Sequence, residues 1–188
     1  DIMRMGGVRE DDLYSAAIDT TRSRFSWLFV NLITAIAASL VIGMFQASIE
    51  QIVALAVLMP IVASMGGNAG TQTLTVVVRA LATKEITAAN AMRQVGKESM
   101  VGAINGILFA SLMGLVAWMW FDIPMLGAVI AMAMVINLLV AGLAGASIPL
   151  FLEKVGVDPA IASSVFLTTI TDVIGFMVFL GLGTWLLI

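Results

Sequence analysis

Long uninterrupted apolar stretches limit a chain more than any other pattern. Each needs an apolar solvent, and about 20 residues of helix cross the ~30 Å hydrocarbon core of a bilayer. This sequence carries five of them, at 27–46, 52–81, 99–121, 124–152 and 160–188. Backbone polar groups in hydrocarbon must be satisfied within the segment, and no strand alternation suggests a barrel, so the expectation is an all-α membrane protein with five transmembrane helices per subunit. The second, fourth and fifth stretches exceed a perpendicular crossing, which predicts tilt, kinks or protrusion. Composition agrees: 61% of the 188 residues are hydrophobic and 11% charged, too few to cover a water-exposed surface.

Charge placement predicts orientation. The nine basic residues are Arg4, Arg9, Arg22, Arg24, Arg79, Lys84, Arg93, Lys97 and Lys154. All lie before the first stretch, between the second and third, or between the fourth and fifth. The connections around Glu50 and Asp122 have none. The positive-inside rule then puts the N-terminus in the cytoplasm and the C-terminus outside, consistent with an odd number of spans in an inner (plasma) membrane. Residues 1–24 read as a cytoplasmic linker helix, with Glu10, Asp11, Asp12, Asp19, Arg22 and Arg24 either as a solvated run or as a regulatory segment whose acids bind cations, and residues 25–188 as the membrane domain. The chain begins with Asp1 and a polar, acidic stretch in place of a signal peptide, which reads as a fragment of a longer protein.

Composition also removes chemistries. There is no Cys, hence no disulfide or thiolate metal site, and no His, hence neither the commonest proton relay nor the commonest transition-metal ligand. A net charge of −3 gives no support to a nucleic-acid partner. No nucleophile–base set is visible, so an enzyme is not expected. The thirteen Met residues read as adaptable packing.

Small residues recur every fourth position in the third stretch (Gly102, Gly106, Ala110, Gly114) and the first (Ala35, Ser39, Gly43). Such stripes allow close backbone approach. They serve either packing within one subunit, the favoured reading, or a dimer face. Trp118 and Trp120 sit where an interfacial aromatic belt is expected.

The polar residues at membrane depth carry the functional signal. Asp172 lies about half-way along the last stretch, where a carboxylate costs several kcal/mol unless it faces water, a cation or a partner. Ser164, Thr168 and Asp172 are four apart and share one helical face. These hard oxygens suit Mg²⁺ or Ca²⁺ and not soft metals. The second stretch carries Pro60 and the run Gly66-Gly67-Asn68-Ala69-Gly70-Thr71-Gln72. The glycines and proline predict a locally weakened helix, and Asn68, Gln72, Thr75 and Arg79 a second polar stripe. Asn105 and Asn137 are lone amides read as packing contacts.

The run from Pro60 to Gln72 resembles the signature of the MgtE family of magnesium channels and transporters. Asp158-Pro159-Ala160 followed by Thr168-Thr169-Ile170-Thr171-Asp172 is similar to that family's last helix. Arg79-Ala80-Leu81, Lys97-Glu98 and Trp27-Leu28-Phe29-Val30-Asn31 match as well, so the likeness covers nearly the whole chain. Where many members have Gly-Pro, this chain has Ser164-Val165. The resemblance implies a homodimer with the ion path along its two-fold axis, lined by the second and fifth membrane helices. It implies that Asp172 from each subunit binds hydrated Mg²⁺, with Thr168, Asn68, Gln72 and Ser164 as secondary contributors. It also implies cytoplasmic regulatory domains in full-length members. Two other readings stay open: a proton-coupled divalent cation carrier, with Asp172 titrating, and a structural membrane anchor.

Overall fold

The computed structural model describes residues 16–87 and 89–188, and every regular element among them is an α-helix. In chain order these are α1 (Ala17–Met44), α2 (Gln46–Gln51), α3 (Val53–Ala82), α4 (Ala91–Phe121), α5 (Pro124–Lys154) and α6 (Pro159–Leu187). All but α2 are long and apolar enough to cross a membrane. At 28 to 31 residues they measure about 42–46 Å, longer than ~30 Å of hydrocarbon, so they tilt or protrude.

Helix ends follow local chemistry. Asp122 ends α4 in the left-handed conformation (φ 56°), and Pro124 opens α5 two residues later. The Asp158 carboxylate accepts the Ala160 amide at 2.9 Å and Pro159 begins α6, a capped and proline-started N-terminus. Five long helices cover the five expected apolar stretches; those starting at 17 and 91 begin ahead of the stretches at 27 and 99, because a helix continues through polar residues where hydropathy falls. The first helix also stops at Met44, two residues short of the expected end, and the separate short helix α2 follows. Residues 17–24 of the expected linker are the first turns of α1; its earlier acidic run lies outside the described residues.

α5 is the central helix. It packs against α3, α4 and α6, and between its ends only one narrow stripe of it (Met125, Ala128, Met132, Ile136, Leu139 and Leu143) is exposed, an apolar face at helical spacing. Its antiparallel contact with α4 is a seam of small residues. A side chain at Gly102 would meet the Leu138 carbonyl, one at Gly106 the Val135 backbone, and one at Gly114 the Gly127 carbonyl. This stripe therefore serves packing within one subunit, and in a membrane such close approach is what holds helices together. The stripe on α1 is different: Ala35, Ser39 and Gly43 are all exposed, and α1 packs mainly along α6. Ser48 of α2 hydrogen-bonds Thr184 at 2.7 Å, joining α2 to the end of α6. The main core, built on Leu55, Leu58, Val62, Met134, Leu138, Phe179 and Leu180, lies between α3, α5 and α6.

Candidate ion-binding site

α3 is a continuous α-helix through Pro60 and the Gly66–Gly70 run. Two of its glycines, Gly66 and Gly70, are used for close contact. A methyl on Gly66 would lie 2.3 Å from Asn137 Nδ2, and one on Gly70 would lie 2.8 Å from Leu167 Cδ1. Gly66 and Gly70 share the buried side with Leu55, Leu58, Val62 and Val77. The opposite side, exposed in the single chain, carries Ser64, Asn68, Thr71, Gln72, Thr75 and Arg79.

Asn137 of α5 sets the spacing between the two helices that carry the polar residues. It is 0% exposed and wedged between Gly66 of α3 and Gly175 of α6. Its Nδ2 donates to the Val62 carbonyl at 2.8 Å, while its Oδ1 has no hydrogen-bond partner. The expectation of an amide serving packing is met.

α3 and α6 run antiparallel, with Gly70 against Leu167 and Leu55 against Gly183. Interpolating between these contacts at ~1.5 Å rise per residue places Asp172 level with Met65, between Ser64 and Asn68. Asp172 is partly buried, and its carboxylate makes no hydrogen bond or ion pair with the described residues. Toward the start of α6 the buried residues Ala160, Ser163, Leu167 and Thr171 lie on the far side from Asp172. Beyond it, Gly175, Phe179 and Gly183 bring the buried side round to the side of Asp172. Apart from Val165, the flank of α6 on which Ser164, Thr168 and Asp172 stand is thus open before the carboxylate and closed after it.

The hydrogen bonds of this surface have one direction. Thr168 Oγ1 donates to the Ser164 carbonyl at 2.9 Å, Thr71 to the Gly67 carbonyl at 2.7 Å and Thr75 to the Thr71 carbonyl at 2.8 Å. Asn68 Nδ2 donates to Ser64 Oγ at 3.3 Å. The threonine hydroxyl hydrogens are spent within each helix and leave lone pairs outward, while α3 also presents amide and guanidinium donors at Asn68, Gln72 and Arg79. The flank of α6, with the carboxylate, is a line of acceptors.

The residues named from sequence therefore fall on two helices. Ser164, Thr168 and Asp172 share one flank of α6, Asn68 stands within one turn of the Asp172 level on α3, and Gln72 turns toward α4, where it lines a cavity with Thr73, Glu98 and Asn105. Sequence reading missed Glu98 as a buried residue. The signal was there: Glu98 lies four before Gly102, so it continues the stripe that faces α5.

A sequence model of the MgtE family, described as divalent cation transporter, matches residues 59–182. The chain is 34% identical over 161 residues to the magnesium transporter MgtE of Bacillus subtilis, covering 86% of this chain and 36% of that protein. It is 34% identical to the magnesium transporter MgtE of Thermus thermophilus over 100% of this chain and 42% of that one. With the magnesium transporter MgtE of Enterococcus faecalis the identity is 30%, over 98% and 41%. The chain spans about two fifths of the length of these relatives. Its five long apolar helices and this likeness together lead to one assignment: the chain belongs to the MgtE family of divalent cation transporters.

Proposed function

We propose that the chain is the ion-conducting part of a Mg²⁺ transporter, acting as a homodimer in the plasma membrane with its N-terminus in the cytoplasm. The observation that carries this reading is the polar face of α3 and α6, with acceptors along α6, around an unpartnered carboxylate at Asp172. Left against lipid, such a face would cost several kcal/mol. Brought against its own copy, it encloses a polar path with two Asp172 carboxylates.

Mg²⁺ gives up its waters reluctantly, and those waters present hydrogens outward. Acceptors are what those hydrogens need, so the hydrated ion is held through its water shell and can still leave, as conduction requires. Two facing carboxylates repel when alone, and a divalent ion between them relieves the repulsion. At about 5 Å and an effective dielectric near 20, each carboxylate attracts a divalent ion by roughly 6 kcal/mol before screening by the shell. Asp172 is the principal binding group, and Thr168, Asn68 and Ser164 orient the shell, while Gln72, expected from sequence to join them, is turned toward α4.

Mg²⁺ flux into proteoliposomes tests the reading. The parent chain conducts, and Asp172→Asn, which keeps shape and removes charge, loses most flux and selectivity while remaining folded. Parent-like flux through a folded Asp172→Asn protein would make the carboxylate structural. Flux that stops when the pH gradient is collapsed would favour proton-coupled carriage over a channel.

A further inference from the structure

A second buried carboxylate lies away from Asp172. Glu98 is 7% exposed and stands seven residues into α4, about 10 Å from the Ala91 end. Its Oε2 accepts from Thr73 Oγ1 at 3.1 Å and its Oε1 from Gln94 Nε2 at 3.0 Å. No Lys or Arg pairs with it among the described residues. Beside it is a cavity of about 110 Å³ between α3, α4 and α5, whose polar lining is Glu98, Thr73, Gln72 and Asn105.

From this arrangement we infer that the Glu98 cavity is a monovalent cation site, taking Na⁺ or an ion of similar chemistry, separate from the Asp172 level. Charge balance decides the valence. The lining holds one formal negative charge and no positive one. A monovalent ion makes the buried cluster neutral, whereas a divalent ion leaves it as charged as before with the opposite sign, and charge buried without compensation is what a low-dielectric interior penalises. Donor chemistry agrees. The carboxylate, the Thr73 hydroxyl and the amide oxygens of Gln72 and Asn105 are hard ligands. The two carboxylate oxygens already engage Thr73 and Gln94, which fixes the carboxylate beside the cavity where a cation completes the cluster. The volume admits a cation with several waters, so the protein need replace only part of the shell. Gln72, exposed next to Asn68 on α3 and also lining this cavity, links the two polar regions.

Equilibrium binding of radioactive sodium to the purified chain, at constant ionic strength with choline as the balancing cation, tests this. A saturable site is expected in the parent chain and, undiminished, in Asp172→Asn. Glu98→Gln keeps the side-chain shape and should weaken binding by at least about tenfold. Thr73→Val and Asn105→Ala should each weaken it several-fold, and they carry the test if Glu98→Gln does not fold. Equal binding by Glu98→Gln and the parent overturns the site, as does parent-like binding by both Thr73→Val and Asn105→Ala. Loss of sodium in Asp172→Asn assigns the ion to the Asp172 level. Displacement of sodium by Mg²⁺ in Asp172→Asn at lower concentration than by unlabelled Na⁺ makes the site divalent. A protonated-carboxyl infrared band at neutral pH in saturating Na⁺, absent in Glu98→Gln, makes the occupant a proton.

Discussion

Substituting Gly66 tests whether α3 and α6 are held apart by Asn137. A methyl on Gly66 would lie 2.3 Å from Asn137 Nδ2 and 2.9 Å from Cγ, inside the ~3.5 Å of ordinary contact. The amide has to leave its place, and the 2.8 Å bond to the Val62 carbonyl goes with it. Overpacking costs about 1–3 kcal/mol and the stranded donor about 1–3 more, since no water reaches a side chain that is 0% exposed. Gly66→Ala should therefore destabilise by about 2–6 kcal/mol. Asn137→Ala loses the bond and leaves a gap, but also removes the unpartnered Oδ1, so about 1–3 kcal/mol is expected. In the double variant the new methyl occupies the vacated space, and the two effects should fall short of their sum by about 2 kcal/mol or more. Gly67→Ala is the control: nothing lies within 4 Å of the added methyl, and the higher helix propensity of Ala predicts no loss. Reversible unfolding in mixed micelles, followed by tryptophan fluorescence, measures all four proteins. Additivity of Gly66→Ala and Asn137→Ala within about 0.5 kcal/mol would refute the wedge.

Further expectations concern the polar face and the packing seam. Asp172→Glu keeps the charge but narrows the space for a hydrated ion, so proteoliposome assays should show altered Mg²⁺ selectivity with less loss of flux than Asp172→Asn. Single cysteines placed at positions 164–175 should react with water-soluble thiol reagents mainly on the flank of Ser164, Thr168 and Asp172, and uniform protection would place that flank against lipid or protein. Mass measurement and cross-linking in detergent should find an active dimer, and activity confined to monomers would remove the two-carboxylate site. Gly142→Ala puts a methyl 2.5 Å from the Glu98 backbone carbonyl, which cannot rotate away, so α4 and α5 must separate and melting should shift down by the equivalent of about 1–3 kcal/mol.

Hydropathy located the immersed part of each span, because lipid imposes a length and a composition on it. It did not locate the ends, since nothing polar stops a helix at the interface: Arg93 and Lys97 lie on α4, and Asp19 and Arg22 on α1. The four-residue spacing of Ser164, Thr168 and Asp172 was readable because a helix converts spacing directly into a common face. What spacing does not give is rotation relative to neighbours. Gln72 is one turn from Asn68, yet it turns to a different cavity, and the small-residue stripe of α4 faces α5 while that of α1 faces outward. The glycines of α3 look like helix breakers in a string of letters. They become contact points once Asn137 and Leu167 are placed against them, seventy-one and ninety-seven residues away in the chain.

The direction of the hydrogen bonds on α3 and α6 has a chemical consequence of its own. On the flank of α6 the Thr168 hydroxyl hydrogen is spent on the Ser164 carbonyl and Asp172 adds carboxylate oxygens, so that flank offers lone pairs, whereas α3 keeps donors at Asn68, Gln72 and Arg79. If the two flanks line the proposed path, an aqua ion would be met at the Asp172 level through the outward hydrogens of its coat, and ions of similar hydrated diameter would differ there only in how loosely they wear it.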